Sequence, residues 1–70
     1  MTTKHGYPII EFRRYSPLTS EAVIIAKRPQ EHQPYVVWNY DMRTGNTFSG
    51  GYYDRIEQAR SDFDNRQHGG

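Results

Sequence analysis

The chain has 70 residues, of which 34% are hydrophobic and 24% charged, and its formal net charge is +1. This length allows a single domain, and the absence of cysteine excludes disulfides and thiolate metal sites. The aromatic content of 14%, including six tyrosines, is too high for a disordered segment, while the near-neutral charge is unlike that of a general nucleic-acid binder.

The sequence contains no apolar run close to the roughly 20 residues that a membrane-spanning helix requires. Its first residues lack the apolar stretch of a signal peptide. We therefore expect a soluble, cytoplasmic protein with no membrane partner. Residues 1–7 are predicted to form a flexible N-terminal tail, residues 8–67 a single α+β domain, and residues 68–70 a C-terminal tail.

The first half of the chain predicts two β-strands. Pro8 to Tyr15 alternates apolar and charged residues, and a turn at 17–20 separates it from Glu21 to Arg28. The second of these segments has three consecutive β-branched residues, Val23-Ile24-Ile25, at its centre. Burial of both sides of the strand would explain this run, and so would an apolar patch or edge used for homodimerisation.

Two further strands follow, Tyr35 to Tyr40 and Asn46 to Tyr53, with a turn in which Gly45 takes a positive φ. One side of the third strand carries Asn39, which is costly to bury without a hydrogen-bond partner. The other side is therefore predicted to face the core, with Gly50 leaving space for an indole ring. Its residues are Val36, Trp38 and Tyr40.

Asp54 is predicted to cap an amphipathic helix, with Glu57 completing a capping box. Ile56, Ala59 and Phe63 form its apolar stripe. The sequence thus predicts an α+β fold (ββββα), an antiparallel β-meander of three to four strands with one C-terminal helix packed on one face. The predicted core residues are Ile10, Phe12, Ile25, Val36, Trp38, Phe48, Ile56, Ala59 and Phe63.

The residues able to carry chemistry do not form a recognisable catalytic or metal-binding pattern. Three histidines lie in separate segments, without the helical spacing of a zinc site: His5, His32 and His68. The Gly50-Gly51 pair lacks the lysine of a phosphate-binding loop, and Asp62 and Asp64 point to different sides of the helix. We therefore predict a protein that is not an enzyme and that uses neither a cofactor nor a metal.

Six tyrosines cannot all fit into so small a core, and exposed tyrosine together with arginine is typical of protein interfaces. Tyrosines that only stabilise the sheet through cross-strand pairs are the alternative interpretation. We predict a protein-binding module that uses the outer sheet face or the exposed helix face. The candidate partner-binding residues are Tyr35, Val37, Asn39, Arg43, Tyr53, Glu57 and Asp64.

Residues 35–66 resemble a group of small bacterial and phage proteins. The shared features are the Tyr-Val-x-Trp-x-Tyr run, the glycine turn, the aromatic strand containing glycine, and a helix with a central alanine and a late phenylalanine. Small phage proteins of this build often inhibit host enzymes, and anti-CRISPR proteins are among them. The resemblance implies a phage or mobile-element inhibitor of a host enzyme.

The same half of the chain is also similar to the sheet-plus-helix DNA-binding domains of plant ethylene-response factors and to the arm-binding domains of phage integrases. In those domains a three-stranded sheet with basic residues on its outer face enters the major groove. Here the basic residues that meet this requirement are Arg13, Lys27 and Arg43. Sheet-mediated DNA binding is therefore the alternative hypothesis, and nucleic acid is the less favoured partner.

Overall fold

The computed structural model describes residues 3–66 and shows five antiparallel strands in a meander, with a C-terminal helix on one face of the sheet. The predicted α+β class and the C-terminal helix are confirmed, with one strand more than predicted. The elements are β1 (Thr3–Lys4), β2 (Tyr7–Arg14), β3 (Glu21–Lys27), β4 (Tyr35–Asp41), β5 (Asn46–Tyr53) and α1 (Ile56–Asn65).

Strand β1 lies within the segment that the sequence analysis assigned to an N-terminal tail. His5 and Gly6 have φ values of 54° and 82°, the positive angles of a two-residue hairpin turn, so that Lys4 pairs with Tyr7. A polar strand of two residues has no hydrophobic periodicity by which the sequence could reveal it. The predicted C-terminal tail, residues 68–70, lies outside the described residues.

Strand β3 occupies the middle of the sheet, between β2 and β4. Its residues from Ala22 to Ala26 are fully buried, so both sides of the strand are covered. Of the two interpretations of the Val23-Ile24-Ile25 run, burial on both sides is therefore confirmed. The run cannot form the edge of a homodimer, because β2 and β4 already occupy both of its edges.

The helix packs on the side of the sheet that the sequence analysis predicted to face outward. The cluster formed there consists of Val23, Ile25, Val37, Ala59 and Phe63. Asn39 lies on this side and is not left without a partner, because its Oδ1 accepts a hydrogen bond from the Tyr15 hydroxyl. The predicted outer side of β4 is therefore the side that the helix covers. On the other side, Val36 and Tyr40 are buried as predicted, at 0% and 5% exposure, and Trp38 is partly buried.

The opposite side of the sheet, which carries Phe12, Ile24, Trp38 and Tyr52, is called the open face below. The N-terminal hairpin folds over part of it: Lys4 Nζ lies 4.8 Å from the centre of the Tyr40 ring, and His5 makes an edge contact with the Trp38 ring. Of the predicted core, Ile25, Val36, Ala59 and Phe63 are buried, and Trp38 and Ile56 are partly buried. Three of the predicted core residues are instead exposed: Ile10, Phe12 and Phe48.

The helix begins one residue later than the predicted cap requires. Arg55, not Asp54, is the N-cap residue, and its backbone N–H donates to Gln58 Oε1 at 3.3 Å. At the other end, the Arg13 guanidinium donates to the carbonyl oxygens of Phe63 and Arg66, at 2.7 and 3.2 Å. Because the last carbonyls of a helix lack partners within it, this contact fixes α1 against β2.

Candidate functional site

The residues predicted to bind a partner fall into three groups in the structure, and the first is buried beneath α1. Val37 is fully buried in the helix-side cluster, and Tyr35 packs against that cluster. Asn39 accepts the hydrogen bond from Tyr15. The side of β4 predicted to be the outer surface is therefore the side on which the helix packs.

Tyr53 forms the second group, since its hydroxyl is bound within the fold. It donates to Asp62 Oδ2 at 2.6 Å, and Arg66 donates to both oxygens of the same carboxylate, at 2.8 and 3.1 Å. Burial raises the pKa of Asp62, but the hydrogen bonds from Arg66 and Tyr53 outweigh it and lower the pKa below the ordinary value. The network joins the end of β5 to α1.

The third group remains accessible. Arg43 lies in the β4–β5 turn with 78% of its side chain exposed, 3.6 Å from Asp41. Glu57 and Asp64 are exposed on α1, while Tyr35 and Val37 lie beneath that helix. The seven predicted residues therefore do not form one continuous accessible surface.

Large apolar side chains that sequence reasoning assigned to the core are exposed on the open face. Phe12 lies opposite Ile24 and is 45% exposed, and Tyr52 lies opposite Val36 and is 42% exposed. Ile10 is also exposed, and Leu18 in the β2–β3 loop is 95% exposed. The alternation in β2 placed Ile10 and Phe12 on one side of the strand, but the burial state of that side depended on the orientation of β4.

Charge is distributed unequally between the two sides of the sheet. The described strands carry three carboxylates, and all belong to positions on the helix side: Glu11, Glu21 and Asp41. The open face instead presents Arg14, which lies opposite the buried Ala22, and Arg28, whose guanidinium lies 4.6 Å from the centre of the Tyr52 ring. The carboxylates of the described strands therefore all lie on the helix side, together with Arg13 and Lys27, while Arg14 and Arg28 lie beside the aromatic rings of the open face.

A cleft of about 300 Å³ lies between the β1–β2 turn and the β3–β4 loop, near Tyr7 and Arg28. The Arg28 guanidinium donates to the Gln33 carbonyl oxygen at 3.0 Å and contacts Glu31 at 3.4 Å. Among residues 3–66, no three histidine, aspartate or glutamate side chains come together as metal ligands would. In the same part of the chain, no helix has the length and apolarity needed to cross a membrane.

Comparison of this chain with protein-family models, curated proteins and solved structures found no match. The feature that distinguishes the surface of this fold is the open face, where exposed apolar side chains lie beside arginines and away from the strand carboxylates.

Proposed function

We propose that this protein is a non-enzymatic protein-binding module that contacts its partner through the open face of its sheet. The observation that carries the proposal is the exposure of Phe12 on β2 and Tyr52 on β5, which lie on the side of the sheet away from the helix with the buried Ile24 and Val36 between them. Exposed aromatic side chains offer the large contact areas that protein interfaces use.

The composition of the open face supports a partner with an apolar centre and acidic groups around it. Aromatic residues and arginine are enriched in protein interfaces, and truncation of such residues has the largest effects on binding. Arg14 is the last residue of β2. Arg28 directly follows β3, which is antiparallel to β2, so the two arginines lie at opposite ends of the sheet. A stoichiometric inhibitor of a host enzyme, as the resemblance to small phage proteins implies, is one form of this function.

Affinity capture from cells of the native host, with three matched proteins, tests the proposal. We expect the wild type to retain a stoichiometric protein partner, Tyr52→Ser to lose it, and Glu57→Gln to keep it. Tyr52 lies on the open face and Glu57 on the exposed side of α1. Loss of the partner with Glu57→Gln but not with Tyr52→Ser would contradict the proposal, and so would nucleic acid as the retained molecule.

Nucleic-acid binding through the open face is the second candidate. Arg14, Arg28 and aromatic rings lie on this face, and none of the carboxylates of the described strands does. Aromatic side chains on a cationic sheet can stack bases, and phosphate contacts make such binding steeply salt-dependent. With a net charge of +1, we expect duplex affinity no tighter than the non-specific range of about 10⁻⁴–10⁻⁶ M.

Fluorescence anisotropy with labelled duplex and single-stranded DNA distinguishes the two candidates. We expect no binding at micromolar protein and physiological salt. Sub-micromolar binding that Arg14→Ala or Arg43→Ala abolishes would favour the nucleic-acid function over the protein-binding function.

A further inference from the structure

We propose that the protein forms a symmetric dimer in which β2 pairs antiparallel with β2 of a second copy, with the two-fold axis at Phe12. This inference concerns the edge of the sheet and shares one residue, Phe12, with the surface proposed above for partner binding. It follows from the backbone groups, side-chain charges and apolar exposure of β2.

Within residues 3–66, the outer edge of β2 is paired only at its beginning. Strand β1 pairs with Tyr7 and Pro8, and the hairpin then turns over the open face, where His5 contacts Trp38. In the part of the chain that the structure describes, no strand pairs with the outer edge of β2 from Ile10 to Arg14. A strand edge with unpaired backbone N–H and C=O groups is a template for pairing with another chain.

The hydrogen-bond pattern shows which backbone groups point outward. The Tyr15 N–H donates to the Glu21 carbonyl oxygen at 3.2 Å, just beyond the end of the regular β2–β3 register. Because bonded and non-bonded pairs alternate in an antiparallel ladder, Glu11 and Arg13 bond to β3. The N–H and C=O groups of Phe12 and Arg14 therefore point away from β3.

Side-chain charge distinguishes the possible β2–β2 registers in which the outward N–H and C=O groups of the two copies form hydrogen bonds. With the axis at Phe12, Glu11 lies opposite Arg13 of the second copy, and the two phenylalanines lie opposite each other. With the axis at Arg13, two arginines would face each other, and with the axis at Glu11, two glutamates would. Like charges destabilise directly facing strand positions, so the axis at Phe12, which brings no like charges together, is favoured over the other two.

The edge at β5 is less suited to such pairing. Its register with β4 shifts between Val37 and Asn39, and Ser49 within it has a φ of 56°. A bulge of this kind interrupts the regular row of donors and acceptors that a new strand needs. In β2 the irregularity lies between Ile9 and Glu11, which leaves the segment from Glu11 to Arg14 regular.

Antiparallel pairing in one sheet keeps facing side chains on the same side. The dimer would therefore place both helices on one side and join the two open faces on the other, with the Phe12 pair at the centre. Dimerisation would cover part of the exposed Phe12 surface and leave Tyr52 accessible in each copy.

Sedimentation equilibrium over a wide concentration range tests the dimer with two matched variants. Phe12 and Phe48 are similarly exposed, at 45% and 42%, but lie on opposite edge strands. We expect the wild type and Phe48→Lys to dimerise and Phe12→Lys to remain monomeric. A monomeric wild type at every concentration, or an equal loss in both variants, would overturn the proposal.

Disulfide trapping tests the register, because the natural sequence contains no cysteine. Directly opposed residues in a bonded antiparallel pair lie about 5.5 Å apart at Cα, which a disulfide can span. We expect rapid homodimer cross-linking for Phe12→Cys. The highly exposed Leu18→Cys measures random collision, and cross-linking of Phe12→Cys no faster than this control would overturn the register.

Discussion

The two sides of the sheet differ in the elements that pack on them and in the exposure of their side chains. On the helix side, Ala59 and Phe63 cover a buried aliphatic cluster, and side chains such as Arg13 and Asp62 hold the helix by hydrogen bonds. On the open face, Phe12 and Tyr52 remain nearly half exposed. We infer that substitutions on the helix side act mainly on stability, whereas substitutions on the open face act mainly on binding.

The largest effect that tests this comparison is expected for Phe63→Ala. Phe63 is 7% exposed at the centre of the helix-side cluster, and truncation of a buried phenylalanine costs about 3–5 kcal/mol through lost burial and the cavity left behind. Chemical denaturation followed by circular dichroism measures the change. The matched variant Phe12→Ala should cost far less, and equal losses for the two variants would contradict the distinction between the sides.

A smaller effect is expected when the carboxylate that joins β5 to α1 is neutralised. Asp62→Asn removes charge-assisted hydrogen bonds from Arg66 and Tyr53, which should cost about 1–3 kcal/mol in the free energy of unfolding. The exposed Asp64→Asn serves as the control, since Asp64 lies two residues along α1 from Asp62, on a different side of the helix.

The same variant should also change the pH dependence of stability. Because the pKa of Asp62 is lowered in the folded state, its contribution is complete above the ordinary value of 3.8 and is lost as the pH falls below it. Denaturation at a series of pH values should therefore show the wild type and Asp62→Asn converging in acid. A difference that stays constant down to the lowest pH would contradict this assignment.

The smallest effect is expected for the ion pair between the helix and the edge strand. Arg60 Nη1 lies 2.6 Å from Glu11 Oε1, but both side chains are substantially exposed. Exposed ion pairs contribute about 0–1 kcal/mol, so Arg60→Ala should change the midpoint of denaturation only slightly. A loss as large as that of Phe63→Ala would mean that this contact, and not the apolar cluster, holds the helix.

Local patterns predicted most of the secondary structure, because alternation and turn residues act over a few positions. The bounds of β5, Asn46–Tyr53, agree with the predicted segment, and Gly45 has the expected positive φ, at 81°. Trp38 lies against Gly50, where an added Cβ would come within 3.0 Å of the indole nitrogen. Strand β1 was not predicted, because its two polar residues show no hydrophobic periodicity.

The candidate site could not be predicted, because its location depended on one hydrogen bond between distant residues. Asn39 was predicted to lie outside the core because burial of an amide without a hydrogen-bond partner is costly. In the structure Tyr15, which is 24 positions away in sequence, is that partner. That contact gives the Asn39 amide a partner, so the side of β4 that carries Tyr35 and Val37 can pack against the helix. Phe12 and Tyr52, the cross-strand partners of Ile24 and Val36, are then exposed on the other side of the sheet.

The most direct test of this arrangement is hydroxyl-radical footprinting of the free protein, read at its three phenylalanines. Comparison of one residue type removes differences in intrinsic reactivity. We expect Phe12 and Phe48 to be oxidised at similar rates and Phe63 to be strongly protected, as their exposures of 45%, 42% and 7% require. Protection of all three would restore the packing predicted from the sequence and contradict an open face at Phe12.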